Sequence, residues 1–461
     1  MGTPGHAPMQ PERMIRGLLR SIGIDKAIAW TLVGRGFSVL AGPVTLLLVA
    51  RFLSREEQGY YVTFASVLGL QIFFELGLSF VLLQFASHER ARLQWDAGGR
   101  LTGDATAKAR LASLIHLSVR WYGAVALLVI VCILPGGMAF FATHQAQDVL
   151  VVWKVPWTWL VFASAASLFL SPCFSILEGC GLVPQVAFVR VVGGMMGTLV
   201  LWLGLTIHVT LYAAAMSSTA IVLWQVAWLF VTKRTALTDL YASRRPDIVI
   251  GWRKEILPFQ WKIAVSWLSG YFIFQLFNPV LFAYQGSVIA GQMGMSLTIT
   301  GALSSMAMAW IATKSAPFGS LVAQRQYRDL DRVFFRSLWQ SLALILLAGT
   351  AVWLCVYYLS LIHHPLAQRI LEPLPFACLI GAAVVNHVVF GEAVYLRAHK
   401  QEPLLLLSVA GAFLTGGSTF LLGKYVGATA VAAAYCTLNI AFGLPIATWI
   451  FLKKRRQWHT A

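Results

Sequence analysis

Five ionisable side chains interrupt stretches of the chain that otherwise read as fat-soluble. They are Arg35, Glu75, Arg120, Arg190 and Lys262, and Glu75 stands in the run FFELGLSF, Phe73 to Phe80. On insertion scales a charge at the centre of a membrane helix costs about 2.5–3.5 kcal/mol, so such residues turn toward a protein interior or a wet cavity. Guanidinium and ammonium groups placed there hold phosphates or carboxylates. A lone carboxylate among them neutralises one cation or carries a proton.

Depth separates the five. Arg35 lies some eight residues in from the nearer helix end, about 12 Å at 1.5 Å per residue. Glu75 and Arg120 sit at similar depth, whereas Arg190 and Lys262 are shallow enough to snorkel back to the interface. The sequence therefore predicts a Glu75–Arg35 pair in a partly dry cavity. With four cations against two acids in the apolar segments, Glu75 and Glu392, that cavity is net basic and suits an anionic head group. Glu75 either pairs structurally with Arg35 or releases it on protonation, which would make Glu75 an ion-coupling residue.

Uncharged polar residues recur at helical spacing beside these charges. One face of the first apolar segment carries Thr31, Arg35, Ser38, Gly42 and Thr45. The second carries Thr63, Gln71, Glu75 and Ser79; the seventh Lys262, Ser266, Ser269, Gln275 and Asn278; the eighth Gln292, Ser296, Thr300 and Ser304. Small and polar residues also glue ordinary membrane helices together, so the stripes alone leave both readings open. Gln71, Ser266, Gln275, Asn278, Gln292 and Ser296 are the expected polar lining of the cavity.

What must position these residues is a membrane bundle. Of 461 residues, 58% are hydrophobic and only 11% charged, against about 25% charged in soluble domains. Apolar runs near 20 residues mark spanning helices, and the alternating ten-residue pattern of a barrel is missing. We place twelve spans at 27–51, 60–84, 112–136, 156–177, 185–206, 211–232, 257–284, 287–313, 335–358, 373–396, 403–423 and 428–451. Prolines fall inside four of them, at Pro43, Pro172, Pro279 and Pro445.

The net charge of +17 does not signal nucleic acid, because of where the charge sits. With the N-terminus taken as cytoplasmic, 26 of the 35 Lys and Arg lie in loops on that side, five on the other and four in spans. That asymmetry is the positive-inside pattern and places both termini in the cytoplasm. The loops on the other face are short, which argues against an enzyme. Glu56–Glu57 there suits a helix cap, and His363–His364 lacks carboxylate company for a metal. No cofactor is expected. The six cysteines show no ligand spacing and read as packing residues. The N-terminus lacks a cleavable signal, so the first helix is expected to remain as an anchor.

The basic stretch from Lys233 to Glu255 splits the spans into six plus six. A cytoplasmic basic, amphipathic N-terminus (1–26), an N-lobe (27–232), a cytoplasmic linker (233–256), a C-lobe (257–451) and a basic tail (452–461) follow. Gly59 and Gly69 in span two match Gly291 and Gly301 in span eight at a common offset of 232. Such a parallel repeat belongs to transporters that bind between their halves and rock.

LLLVARFLSREEQGYYVTFASVLGLQIFFELGLSFVLLQFASHER, Leu46 to Arg90, resembles the opening of the Wzx-type polysaccharide-biosynthesis flippases, within the multidrug/oligosaccharidyl-lipid/polysaccharide exporter superfamily. The shared features are Glu56, Glu57, Gly59 and Glu75–Leu76–Gly77–Leu78; Gly423 to Arg456 resembles the last hairpin of that family. The resemblance implies an all-α, MATE-like pair of six-helix lobes and movement of an undecaprenyl-diphosphate-linked oligosaccharide across a bacterial inner membrane. The glycan would serve an O-antigen, capsule or exopolysaccharide, with a polysaccharide polymerase or glycosyltransferases as further partners. By position, the family's lumen cations on spans one and seven correspond to Arg35 and Lys262. Arg35, Arg120, Lys262 and Arg190 are the expected diphosphate ligands. A MATE-like drug antiporter and a membrane enzyme or scaffold of glycan assembly are the alternatives.

Overall fold

The computed structural model describes residues 26–145, 151–248, 250–399 and 401–459; the basic segment expected before the first span lies outside them, apart from Lys26. Apolar runs become helices throughout. The first half holds α1 (Lys26–Phe52), α2 (Arg55–Leu68), α3 (Ile72–Glu75), α4 (Leu78–Arg90), α5 (Ala105–Leu128), α6 (Leu134–Thr143), α7 (Lys154–Gly179), α8 (Val183–Thr206), α9 (Tyr212–Trp228) and α10 (Arg234–Ala242). The second holds α11 (Leu257–Phe274), α12 (Phe277–Gln285), α13 (Ser287–Ala312), α14 (Ser315–Ala323), α15 (Tyr327–Leu361), α16 (Pro373–Ala398), α17 (Leu405–Tyr425), α18 (Ala428–Leu438) and α19 (Leu444–His459). A small hairpin, β1 (Leu93–Trp95) with β2 (Leu101–Gly103), joins α4 to α5.

Among the described residues eleven helices are long and apolar enough to cross a membrane, and twelve when the bent pair Arg55–Glu75 and Leu78–Arg90 counts as one. The molecule is an all-α, multi-pass membrane protein. Its Lys- and Arg-rich loops gather on one side, called here the basic face, opposite the far face.

Two breaks shape the interior. Span two bends by 48° at Leu76–Gly77, whose φ values of 53° and 68° lie in the left-handed region. Glycine is required at 77, since a Cβ there would also stand 2.6 Å from Ile263 Cγ2. Span seven is interrupted at Gln275–Leu276, between α11 and α12. Pro279, four residues on, has no N–H to offer the Gln275 carbonyl.

The lobes meet at the far face along the repeat found in the sequence. A Cβ on Gly59 would lie 2.0 Å from the Ser287 backbone oxygen, and one on Gly291 3.0 Å from the Gly59 nitrogen. One turn deeper, a Cβ on Gly294 would strike Val62 at 2.6 Å. Positions 59 and 291, like 62 and 294, are separated by the same offset of 232, so equivalent residues touch across a pseudo-two-fold axis. Deeper still the helices part: a Cβ on Gly301 would meet nothing within 4 Å. The paired bundles thus form a V with its apex at the far face.

The stretch between the lobes is docked rather than loose. Arg110 on α5 donates to Glu89 at 2.8 Å and to Glu255 at 2.7 Å. Lys108 pairs with Asp239 at 2.8 Å, and the Ile250 amide donates to Ser113 Oγ. Arg110 holds the Glu255 carboxyl below its ordinary pKa. At the other end, Arg455 grips Asp331, which also accepts from Tyr395.

Candidate functional site

The far-face seal is built from polar groups around the paired glycines. Gln58, 2% exposed, donates to the backbone oxygens of Gly291 and Arg369, each at 2.9 Å. Arg369 reaches back across the lobes to the Leu53 carbonyl at 2.6 Å. Burial and the neighbouring Arg55 lower the Arg369 pKa, while Glu56 and Glu57 oppose that shift. Glu57 itself completes a capping box with Ser54, and His364 Nδ1 accepts from the Leu366 amide. Arg369→Ala removes the side-chain hydrogen bonds to the Leu53 carbonyl and, at 3.5 Å, to Gln58 Oε1. It should expose a cysteine placed at Thr298, inside the cleft, to an impermeant maleimide added from the far side; unchanged labelling would show that Arg369 does not latch this face.

Below the seal, α2, α13, α1 and the break in span seven enclose a cavity of about 570 Å³. Ser66, 1% exposed, is its polar centre. Its hydroxyl accepts from Asn278 Nδ2 at 3.0 Å and donates to Gln275 Oε1 at 3.4 Å, and its carbonyl accepts from Tyr271. Asn278 Oδ1 is buried with no donor among the described residues. An unmet acceptor in such a place calls for a hydroxyl, an ammonium or a water.

Toward the basic face a second cavity of about 640 Å³ continues the first, Ser38 lining both. Here lie Arg35, Arg190 and Glu178. Arg190 pairs with Glu178 at 2.9 Å; among the described residues Arg35 has no carboxylate partner. The stripe Thr31, Arg35, Ser38, Gly42 and Thr45 lines the two cavities together. One cleft therefore runs from a basic end, carrying two arginines against one acid, to a neutral end of hydroxyls and amides.

The predicted pair of Glu75 and Arg35 does not form. Glu75 accepts instead from Tyr122 at 3.1 Å and from Ser79, within the N-lobe. The bend at Leu76–Gly77 ends α3 at Glu75, and the fully buried Tyr122 meets it there. Of the four expected cations, Arg35 and Arg190 line the second cavity. Arg120 is exposed on α5, 200° around the helix from Tyr122 at 100° per residue. Lys262 is exposed beside the Trp261 ring, 5.9 Å away.

The polar set divides likewise. Gln275 and Asn278 line the cleft. Gln71 instead accepts from Ser164 inside the N-lobe. Gln292 donates to the Gln368 carbonyl, and fully buried Ser296 accepts from the Leu371 amide, so both anchor a far-face loop. Ser266 faces a separate chamber in the C-lobe. Glu178 escaped the sequence reading because it falls one residue beyond the end drawn for span four.

The two sides of the cleft differ. Where span seven meets span two, Ile263 and Trp267 cover Gly77, Gln260 donates to the Leu76 carbonyl and Phe73 packs on Tyr271. Where span one meets span eight, both cavities lie instead. The overall helical arrangement is a known one. The chain has the fold of the MOP-superfamily transporters. It matches an inward-facing multidrug resistance MATE family transporter of that superfamily with TM-score 0.64 at 16% identity, covering 95% of this chain and 100% of the other. An outward-facing MATE transporter matches with TM-score 0.57 at 14% identity, covering 95% and 97%. The lipid II flippase MurJ, in an inward closed conformation, matches with TM-score 0.61 at 11% identity, covering 94% and 90%. No protein-family model and no curated protein matches the sequence.

Proposed function

We propose that this protein flips an undecaprenyl-diphosphate-linked oligosaccharide across a bacterial inner membrane, for assembly of a surface polysaccharide. The observation that carries the reading is the polarity of the cleft: two arginines at the basic end and neutral hydrogen-bonding groups beyond. A lipid-linked sugar has the matching order, an anionic diphosphate near the membrane surface and hydroxyl-rich rings beyond it. Arg35 and Arg190 hold the diphosphate, Arg35 foremost because Glu178 already occupies Arg190. Glycan hydroxyls satisfy Asn278 Oδ1, and the polyprenyl tail stays in lipid at the seam of spans one and eight.

On this reading the basic face is cytoplasmic, both termini lie there, and the structure stands open to the cytoplasm. Rocking about the Gly59–Gly291 apex then exposes the cleft to the other side. The multidrug reading shares the fold, but a cationic drug would meet two arginines at the mouth of the cleft. Deleting the gene should abolish the surface polysaccharide and leave lipid-linked oligosaccharide in the cytoplasmic leaflet, with the wild-type gene restoring export. Intact polysaccharide together with new sensitivity to cationic dyes would overturn the proposal in favour of drug efflux.

A further inference from the structure

Inside the C-lobe a chamber of about 230 Å³ adjoins the cleft, Phe274 lining both. Two amides, Asn386 and Asn439, and three hydroxyls, Ser266, Ser408 and Thr415, line it beside the aromatic rings of Phe274, Phe390 and Phe442. Asn386 spends its amide donor on the Tyr435 hydroxyl at 3.0 Å, and no described residue donates to its Oδ1. Asn439 opens a five-residue π-helical stretch, Asn439–Gly443, a widened turn of the kind that recurs at functional sites. Among the described residues no carboxylate lines the chamber, and Arg397 at its basic end is already paired with Glu402 at 2.5 Å.

We infer that this chamber is a carbohydrate subsite that receives one ring of the glycan from the cleft. The inference rests on the flippase reading and adds a specificity site to it. An electroneutral lining without carboxylates offers nothing to attract a metal cation or a cationic drug. Asn439 Nδ2 and the Ser408 hydroxyl already donate to the Tyr435 and Leu404 carbonyls, but an acyl chain would leave the Asn386 Oδ1 acceptor unmet, at a cost. A sugar ring satisfies both kinds of surface, its C–H faces on the aromatic rings and its hydroxyls on the amides. The volume is below the roughly 300–1,000 Å³ of drug-sized sites, which suits a single ring.

The test compares two probes on the full chain in nanodiscs: undecaprenyl diphosphate alone, and the lipid-linked oligosaccharide extracted from the source cells. Wild type should bind the glycosylated lipid about tenfold more tightly, the equivalent of roughly 1.4 kcal/mol. Gly411→Leu adds bulk at the chamber wall where the new Cβ would meet only Ile273 Cδ1, at 4.0 Å. Asn386→Leu, of similar size, removes the open acceptor. Both variants should lose the preference for the glycosylated lipid while binding undecaprenyl diphosphate as wild type does. Variants that keep the preference, or a wild type that has none, would overturn the subsite. A wild type that binds neither lipid would instead bring down the flippase reading beneath it.

Discussion

Replacing Gly59 with leucine is expected to spring the far face open. In the closed arrangement a Cβ at this position would sit 2.0 Å from the Ser287 carbonyl oxygen and 2.9 Å from its Cα. These are backbone atoms, so no rotamer change relieves the overlap and the lobes must separate. Overpacking usually costs about 1–3 kcal/mol, occasionally more, and inverting a 99:1 equilibrium takes roughly 5.5 kcal/mol. A leucine against backbone lies at the upper end of the first range, enough to populate the open state heavily. In a background stripped of native cysteines, Thr298→Cys should then react with an impermeant maleimide from the far side, and export should fail. Gly301→Leu is the control: it lies on the same helix as Gly291, in the splayed part where nothing is within 4 Å. Equal labelling of the two variants would dismiss the glycine apex as the closure.

Arg35→Ala should abolish glycan export while leaving protein abundance intact. Arg35 is exposed within the cleft, and it stands where no described carboxylate neutralises it. A hydrogen bond to a charged group is worth about 1.5–3 kcal/mol, which predicts a loss of roughly 10- to 150-fold in head-group affinity. Arg35→Lys should fall between wild type and alanine, because lysine keeps the charge and loses the bidentate fork that fits a phosphate. Arg190→Ala should cost less than Arg35→Ala, since Glu178 already offsets that guanidinium. Full export by Arg35→Ala would remove this residue from the mechanism.

The span count was legible because hydrophobic length and loop charge are properties of the chain read in order. The apex was half legible. The 232-residue offset between Gly59 and Gly291 marks a repeat, yet nothing in it says that equivalent glycines touch each other. The pairing of Glu75 with Arg35 failed for a definite reason. Spacing along a helix yields an expected depth, but a pair also needs facing azimuths. Azimuth is set by packing and, in span two, by the left-handed residues Leu76 and Gly77 that redirect the chain. Arg120 and Lys262 line neither of the two cavities described, and Ser296 braces a loop through the Leu371 amide.

Residue order alone was enough to establish a basic-sided, all-helical membrane bundle with an internal repeat, because hydropathy and charge act locally on each segment. Which charges share one cleft, which seam is sealed and which polar groups are left waiting for a ligand depended on how the helices rotate against each other. Those rotations arise from contacts between residues more than 200 positions apart, such as Gly59 with Ser287 and Ser66 with Asn278, which no local pattern encodes.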